Sequence, residues 1–255
     1  MTANSSVPNF KDHFSGHAAL YSRFRPTYPV ALFDYLATTA PGREMVWDCA
    51  TGGGQAATVL ADCFSRVIAT DASAAQLANA PAKPNLEYRV ATAEQSGLPD
   101  QSADLITVAQ ALHWFSLEPF YAECKRVLKP GGVLAVWAYD LLSIAPAIDP
   151  LVNHFYHEVV GPWWPPERKI LERGYRTLPF PFAELKSPDF AMNARWSLAH
   201  LLGYIESWSA VQRYRKENGR DPLELLRAPL AAAWGDPELE REVTWPLEVR
   251  LGRAT

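Results

Sequence analysis

Val46-Trp47-Asp48-Cys49-Ala50-Thr51-Gly52-Gly53-Gly54-Gln55 reads as an apolar strand ending in a carboxylate, then a glycine turn, then a helix that begins near Gly54. A second acid, Asp71, closes the next apolar run, Arg66-Val67-Ile68-Ala69-Thr70. Glycines let backbone approach a ligand closely, and an acid at the end of the second strand can accept hydrogen bonds from both hydroxyls of a ribose. The pair predicts a nucleoside pocket at the strand ends of an open α/β sheet. A glycine turn alone says less, because any tight strand-to-helix turn also requires glycine.

Outward from this stretch, helix and strand patterns alternate from about residue 28 to 139. A helix is expected over Val30–Thr39, with Pro29 at its first turn and Pro41-Gly42 beyond its end. Strands follow at Val46–Asp48, Val67–Thr70, Leu86–Val90, Asp104–Ala109 and Val133–Tyr139. Between them come helices at Gln55–Phe64, from Ser73 to about Ala80, and at Leu117–Leu128, with a turn at Pro130-Gly131-Gly132. Such alternation implies a parallel sheet with right-handed crossovers. From about 140 to 240 prolines interrupt the pattern. There a helix is expected over Asp149–Val160, a strand over Phe190–Trp196, and helices near Leu198–Trp208, Ala210–Lys216 and Leu223–Trp234. A last strand is expected at about 242–252. The irregular part reads as a cap on a single domain spanning 1–255, not as an independent domain.

Composition narrows the class. A chain of 255 residues with 48% apolar content can build a full core. A net charge of −4 with scattered Lys and Arg argues against nucleic acid, which requires a basic face. Cys49, Cys63 and Cys124 show no metal-type spacing and suit a reducing compartment. The N-terminus lacks signal-peptide character and no apolar run spans a bilayer, so a cytoplasmic location is expected. A monomer or homodimer is expected, with neither a membrane nor a metal as partner. His154 and His157 sit three apart on an expected helix, but a third ligand is missing.

The Asp48-x-Ala50-x-Gly52-x-Gly54 frame, Ala69-Thr70-Asp71-Ala72-Ser73, Ala91-Thr92-Ala93-Glu94, Ala109-Gln110-Ala111-Leu112-His113-Trp114-Phe115 and Arg126-Val127-Leu128-Lys129-Pro130-Gly131-Gly132 stand in one order and spacing. Together they resemble the class I S-adenosylmethionine-dependent methyltransferases of the methyltransferase type 11 group. Tyr21-Ser22-Arg23-Phe24-Arg25-Pro26 is similar to the N-terminal segment of the trans-aconitate methyltransferase-like branch. The resemblance implies a Rossmann-like, doubly wound, mainly parallel seven-stranded sheet with an antiparallel last strand and a helical cap. It implies S-adenosyl-L-methionine as cofactor, S-adenosyl-L-homocysteine as product, and a small-molecule acceptor.

On that resemblance, Asp48 or the backbone of Ala50, Thr51 and Gly52 would hold the methionine end, with Gly54 completing the turn. Asp71 and Ala72 would meet the ribose, and Thr92, Ala93 and Glu94 the adenine. Gln110 and Ala111 would run beneath the methionine, Trp114 would pack beside the cofactor, and Tyr21 and Arg25 would close over it. Ala50 replaces a glycine, which changes little if its φ is negative. Thr92 replaces an aspartate and loses charge assistance to the adenine amino group. His113 reads two ways: as the general base a hydroxyl acceptor would need, or as a partly buried ring lining the pocket. Two alternatives stay open: a catalytically silent methyltransferase-like binding protein, and an NAD-dependent oxidoreductase. The acid-led glycine frame disfavours the second.

Overall fold

The computed structural model describes residues 24–254. Strands β1 (Met45–Cys49), β2 (Arg66–Asp71), β3 (Leu86–Val90), β4 (Ala103–Ala109), β5 (Leu128–Tyr139), β6 (Ala183–Leu185), β7 (Phe190–Trp196) and β8 (Arg241–Arg253) form one sheet. Its order is β3-β2-β1-β4-β5-β8-β6, with β7 also paired to β8. The first five strands run parallel, and β8 is antiparallel to β5. Helices α1 (Val30–Thr39), α2 (Gln55–Cys63), α3 (Ala74–Leu77) and α4 (Leu117–Val127) are the crossovers and flanks of this core. The cap comprises α5 (Asp149–His154), α6 (Arg168–Glu172), α7 (Leu198–Glu206), α8 (Ser209–Asn218) and α9 (Glu224–Trp234).

Side chains on a strand alternate between faces, so each central strand buries two sets of residues. Val46, Val67, Leu105 and Val133 pack with Leu32 and Phe33 of α1 and Leu60 of α2. Trp47, Ile68, Ile106 and Leu134 pack on the other face with Phe120, Cys124 and Val127 of α4. The first cluster continues without a break into Leu201, Trp208 and Leu230 of the cap helices.

Four elements differ from the sequence expectation. The edge strand is broken, so the sheet has eight segments and not seven. Leu185 pairs with Leu251 and Phe190 with Leu247, leaving one extra residue on the edge side, where Pro188 has no N–H to donate. At Pro130-Gly131-Gly132 the strand does not stop but bulges: Gly131 has φ of 76° and the β4–β5 register shifts between Ala103 and Leu105. The helix expected to reach Val160 keeps α geometry only to His154 and then widens into a π turn, Phe155–Val159. The helix capped by Ser73, whose side chain accepts from the Gln76 amide, ends early at Leu77.

Register at the opposite end from the glycine turn is pinned by Asp104. Its buried carboxylate accepts from the amides of Glu44 (2.9 Å) and Met45 (3.0 Å) and pairs with Lys129 Nζ at 2.9 Å. One side chain thus ties together the starts of β1, β4 and β5. Asp104→Ala leaves two amides and a partly buried ammonium without their partner. It is expected to cost about 3–5 kcal/mol in urea unfolding, whereas Glu44→Ala, which removes an exposed partner, costs under about 1 kcal/mol.

Candidate functional site

The glycine turn is held from below. Asp48, 1% exposed, accepts from Thr51 Oγ1 at 2.5 Å and from Thr107 Oγ1 at 2.6 Å. Thr107 lies directly across from Asp48 on β4. The carboxylate therefore sits beneath the loop and bears on the ligand side through Thr51. Burial pushes its pKa up to about 6, more than the threonine hydrogen bonds pull it down.

Ala50 departs from the expectation of a negative φ: it lies at +53°, in the left-handed region. The amide of Thr51 donates to Thr70 O at 2.9 Å on β2, so the chain must reverse at Ala50 to make that bond. Gly52 (+57°) and Gly54 (+81°) share this conformation. A Cβ on Gly54 would collide with the Tyr88 hydroxyl. At Gly52 and Gly53 a Cβ would meet no atom of the described residues within 4 Å, a backbone cradle of the kind that can receive a ligand.

Asp71 stands beside that cradle. Its oxygens accept from the Gly52 amide and the Ser73 amide, each at 2.8 Å, and Ala72 lies between in the turn. Both bonds fix the carboxylate at the end of β2. Thr92 bridges to Gln95, shaping the turn that carries the buried Ala93. Glu94 accepts from the Ser116 amide at 2.9 Å, tying this turn to the start of α4.

At the end of β4, Gln110 has a φ of 60°, and its amide nitrogen Nε2 donates to Tyr139 O at 3.3 Å. Arg25 reaches the same strand end, donating to the Tyr139 hydroxyl at 3.1 Å. Gln55 anchors the segment around Arg25 by donating to Pro26 O at 2.7 Å. Tyr21 lies outside the described residues.

Ala111 is buried and accepts from the Trp114 amide at 2.9 Å, forming the turn that presents His113. The His113 ring lies 4.6 Å from that of Trp114, and its Nδ1 is 3.2 Å from the Tyr175 hydroxyl. Burial, with the Arg168 charge adding to it, pulls the His113 pKa down to about 3. The ring is therefore neutral near pH 7, and as a proton acceptor it is weak.

The structure thus gathers Arg25, Gly52, Asp71, Gln110, His113 and Trp114 around the carboxyl ends of β1, β2, β4 and β5. This is the crevice where ligands bind open α/β sheets, at the point where strand order reverses. Sequence reasoning missed Thr107, Tyr175 and Arg168. Thr107 left a signal: a polar residue inside a doubly buried strand must find a partner. Tyr175 and Arg168, in the irregular cap, left none. Among the described residues no cluster of His, Cys, Asp and Glu could hold a metal, and no helix is long and apolar enough to cross a membrane.

Comparison with known proteins gives the family. Residues 47–136 match the methyltransferase domain family. A Dictyostelium discoideum protein named as a methyltransferase is 35% identical over 99% of both chains. A methyltransferase structure from Anaeromyxobacter dehalogenans superposes with a TM-score of 0.86 at 47% identity, covering 91% of this chain and 98% of that one. The chain belongs to the class I S-adenosylmethionine-dependent methyltransferases. A structure from Anabaena variabilis, at 18% identity and a TM-score of 0.54, shares the fold alone.

Two outcomes follow for the turn. Ala50→Gly relieves a left-handed alanine, partly offset by the looser unfolded chain, and is expected to raise stability by about 0.5–1 kcal/mol in urea melts. For Asp48 the folded pKa lies above the unfolded value of 3.8, so folding favours the protonated form. Its contribution is full below pH 3.8 and is lost as pH rises through about 6. Asp48→Asn cannot ionise. Its stability relative to wild type should therefore improve by on the order of 3 kcal/mol from low pH to neutrality, read from unfolding curves across that range.

Proposed function

We propose that this chain methylates a small-molecule acceptor that arrives already nucleophilic, a carboxylate in preference to a hydroxyl. The observation that carries this reading is His113: a half-buried, neutral ring tied to Tyr175, with a pKa depressed to about 3, is poorly suited to deprotonate a hydroxyl. The sequence resemblance to the trans-aconitate methyltransferase-like branch supports the same acceptor class.

In this reading the backbone of Ala50–Gly53 holds the methionine end of S-adenosylmethionine, with Arg25 near its carboxylate. Asp71 receives the ribose hydroxyls, and the Ala93 turn, with Thr92 and Glu94, borders the adenine. Gln110 and Ala111 support the methionine from below, while Trp114 and His113 wall the space where transfer occurs. When bound, the cofactor supplies an activated methyl group on a sulfonium, and its product is S-adenosylhomocysteine. The protein's own share is alignment and exclusion of water, and alignment alone can contribute about 7–11 kcal/mol. Aromatic faces such as Trp114 also favour a cationic sulfonium, by roughly 0.5–2 kcal/mol. The reading further takes the protein as a cytoplasmic monomer or homodimer without nucleic-acid partners.

Calorimetry with S-adenosylhomocysteine is the first test. Binding is expected in the wild type and at least about tenfold weaker in Asp71→Ala, because the ribose contacts are charge-assisted. Absence of heat in the wild type would instead favour a silent methyltransferase-like protein. A screen of carboxylic acids and phenols with labelled methyl donor then reads the acceptor. Carboxylic acids should turn over, with His113→Ala retaining a flat profile from about pH 6 to 8.

A further inference from the structure

The cap contains a cavity of about 380 Å³ lined by none of the residues assigned to the cofactor. Its lining includes Tyr156, Gly161, Trp164, Arg168, Lys169 and Glu172. Arg168 is the informative member, with a side chain only 19% exposed. Its Nε donates to the Tyr156 hydroxyl at 2.7 Å, and that hydroxyl donates to Glu172 Oε1 at 2.7 Å. The guanidinium carbon lies 4.7 Å from the Trp164 ring centroid and 5.5 Å from that of Tyr156. Two rings and one hydrogen bond therefore fix the plane and leave the Nη1/Nη2 end as its hydrogen-bonding edge.

That edge has no hydrogen bond among the described residues. Asp140 stands 3.8 Å from Nη2 and Glu172 4.0 Å from Nε, both beyond hydrogen-bond reach. Such a guanidinium has the fork that matches a carboxylate or phosphate. Desolvated cations of this kind are costly when left without a close counter-ion. The main chain is shaped to the same end. Tyr156 belongs to the π turn Phe155–Val159, a geometry that recurs at functional sites, and its carbonyl accepts from Trp164 Nε1 at 3.3 Å.

The cavity also lies beside the reaction space. Helix α6, which carries Arg168, packs against the Leu112–Trp114 turn. Asp140, the loose partner of Arg168, directly follows Tyr139, which bonds both Gln110 and Arg25. The Arg168 charge is felt at His113 and at the Tyr204 hydroxyl, where that of Arg25 is felt as well.

Building on the methyltransferase reading, we infer that Arg168, held against Trp164 and Tyr156, is the subsite for an oxyanion of the methyl acceptor. This oxyanion is distinct from the atom that takes the methyl group, since pairing the reacting oxygen with a guanidinium would blunt its nucleophilicity. The acceptor is therefore a small anionic molecule anchored in the cap, with its reacting group directed toward His113 and Trp114.

The test is calorimetric titration of the full chain with succinate, inorganic phosphate and choline at fixed ionic strength, with and without saturating S-adenosylhomocysteine. Saturation fills the position of the cofactor's own carboxylate. Succinate or phosphate is expected to bind the saturated wild type and choline not to bind. Arg168→Gln should weaken the anion at least about tenfold while leaving S-adenosylhomocysteine within about twofold. Stronger binding of succinate assigns a carboxylate, and stronger binding of phosphate a phosphate ester. If Arg168→Gln does not fold, Arg168→Lys keeps the charge without the fork and should weaken the anion about threefold or more.

Equal anion affinity in the variant, or none in the wild type, overturns the subsite. So does an equal loss of S-adenosylhomocysteine, which would make Arg168 part of the cofactor site. Failure of the wild type to bind S-adenosylhomocysteine, with Arg168-dependent anion binding intact, would sink the methyltransferase reading and leave an anion site standing.

Discussion

The carboxylate of Asp48 is the interaction on which the glycine turn depends. It is buried at the end of β1 and takes two hydroxyls, one from the loop above it and one from the neighbouring strand. Thr51 is thereby held while its amide bonds to β2, and Ala50 is held in a conformation that alanine alone would avoid. From there the chain is committed: Gly52 points its amide at Asp71, and Gly54 turns under the Tyr88 hydroxyl into α2. Asp48, one of two readings for the methionine end, lies beneath the loop that carries Ala50 and Gly52. Desolvation is the cost of that placement, and it appears in the elevated pKa of the group.

The cap side of the crevice is organised by a different arrangement of charge. His113 is kept neutral by burial and by the cation nearby, so basicity is suppressed where a general base was one of two readings. Arg168 is oriented by a tyrosine hydroxyl and two aromatic faces, with its acids at arm's length. A methyl donor that is itself cationic requires little acid–base help, so a pocket can specialise in placement. The aromatic cap fits this: Trp164, Trp208 and Tyr156 pack edge and face within 4.9–5.8 Å of one another.

The parallel core was legible because its signals are local. Pro29, Ser73, the glycine turn and the doubly apolar β4 each mark an element directly, and the structure places those elements within a few residues of expectation. The signals failed where geometry depends on partners distant in sequence. The break at Pro188 follows from register against β8, and the π turn after His154 from packing inside the cap. Within the crevice, the position of Asp71 at the end of a strand could be read from the sequence. That of Asp48 could as well, but its depth was invisible, because Thr107 lies 59 residues away. The sign of φ at Ala50 was set by a hydrogen bond to β2. Arg168 and Tyr175 stand in a proline-rich stretch without periodicity, and only the fold brings them to His113.

The position of β8 has a consequence for how the protein is made. This strand follows every other in sequence, yet it lies inside the sheet, between β5 and the broken edge strand. The residues from Arg241 onward leave the ribosome about 100 residues after Tyr139 ends β5. At roughly 5–20 residues per second, that is on the order of 5–20 s during which the parallel core presents an apolar, unpaired rim. Val133, Val136 and Trp137 lie on that rim, and exposed strand edges recruit other chains. That rim is closed only when the chain's own last strand arrives to pair with β5.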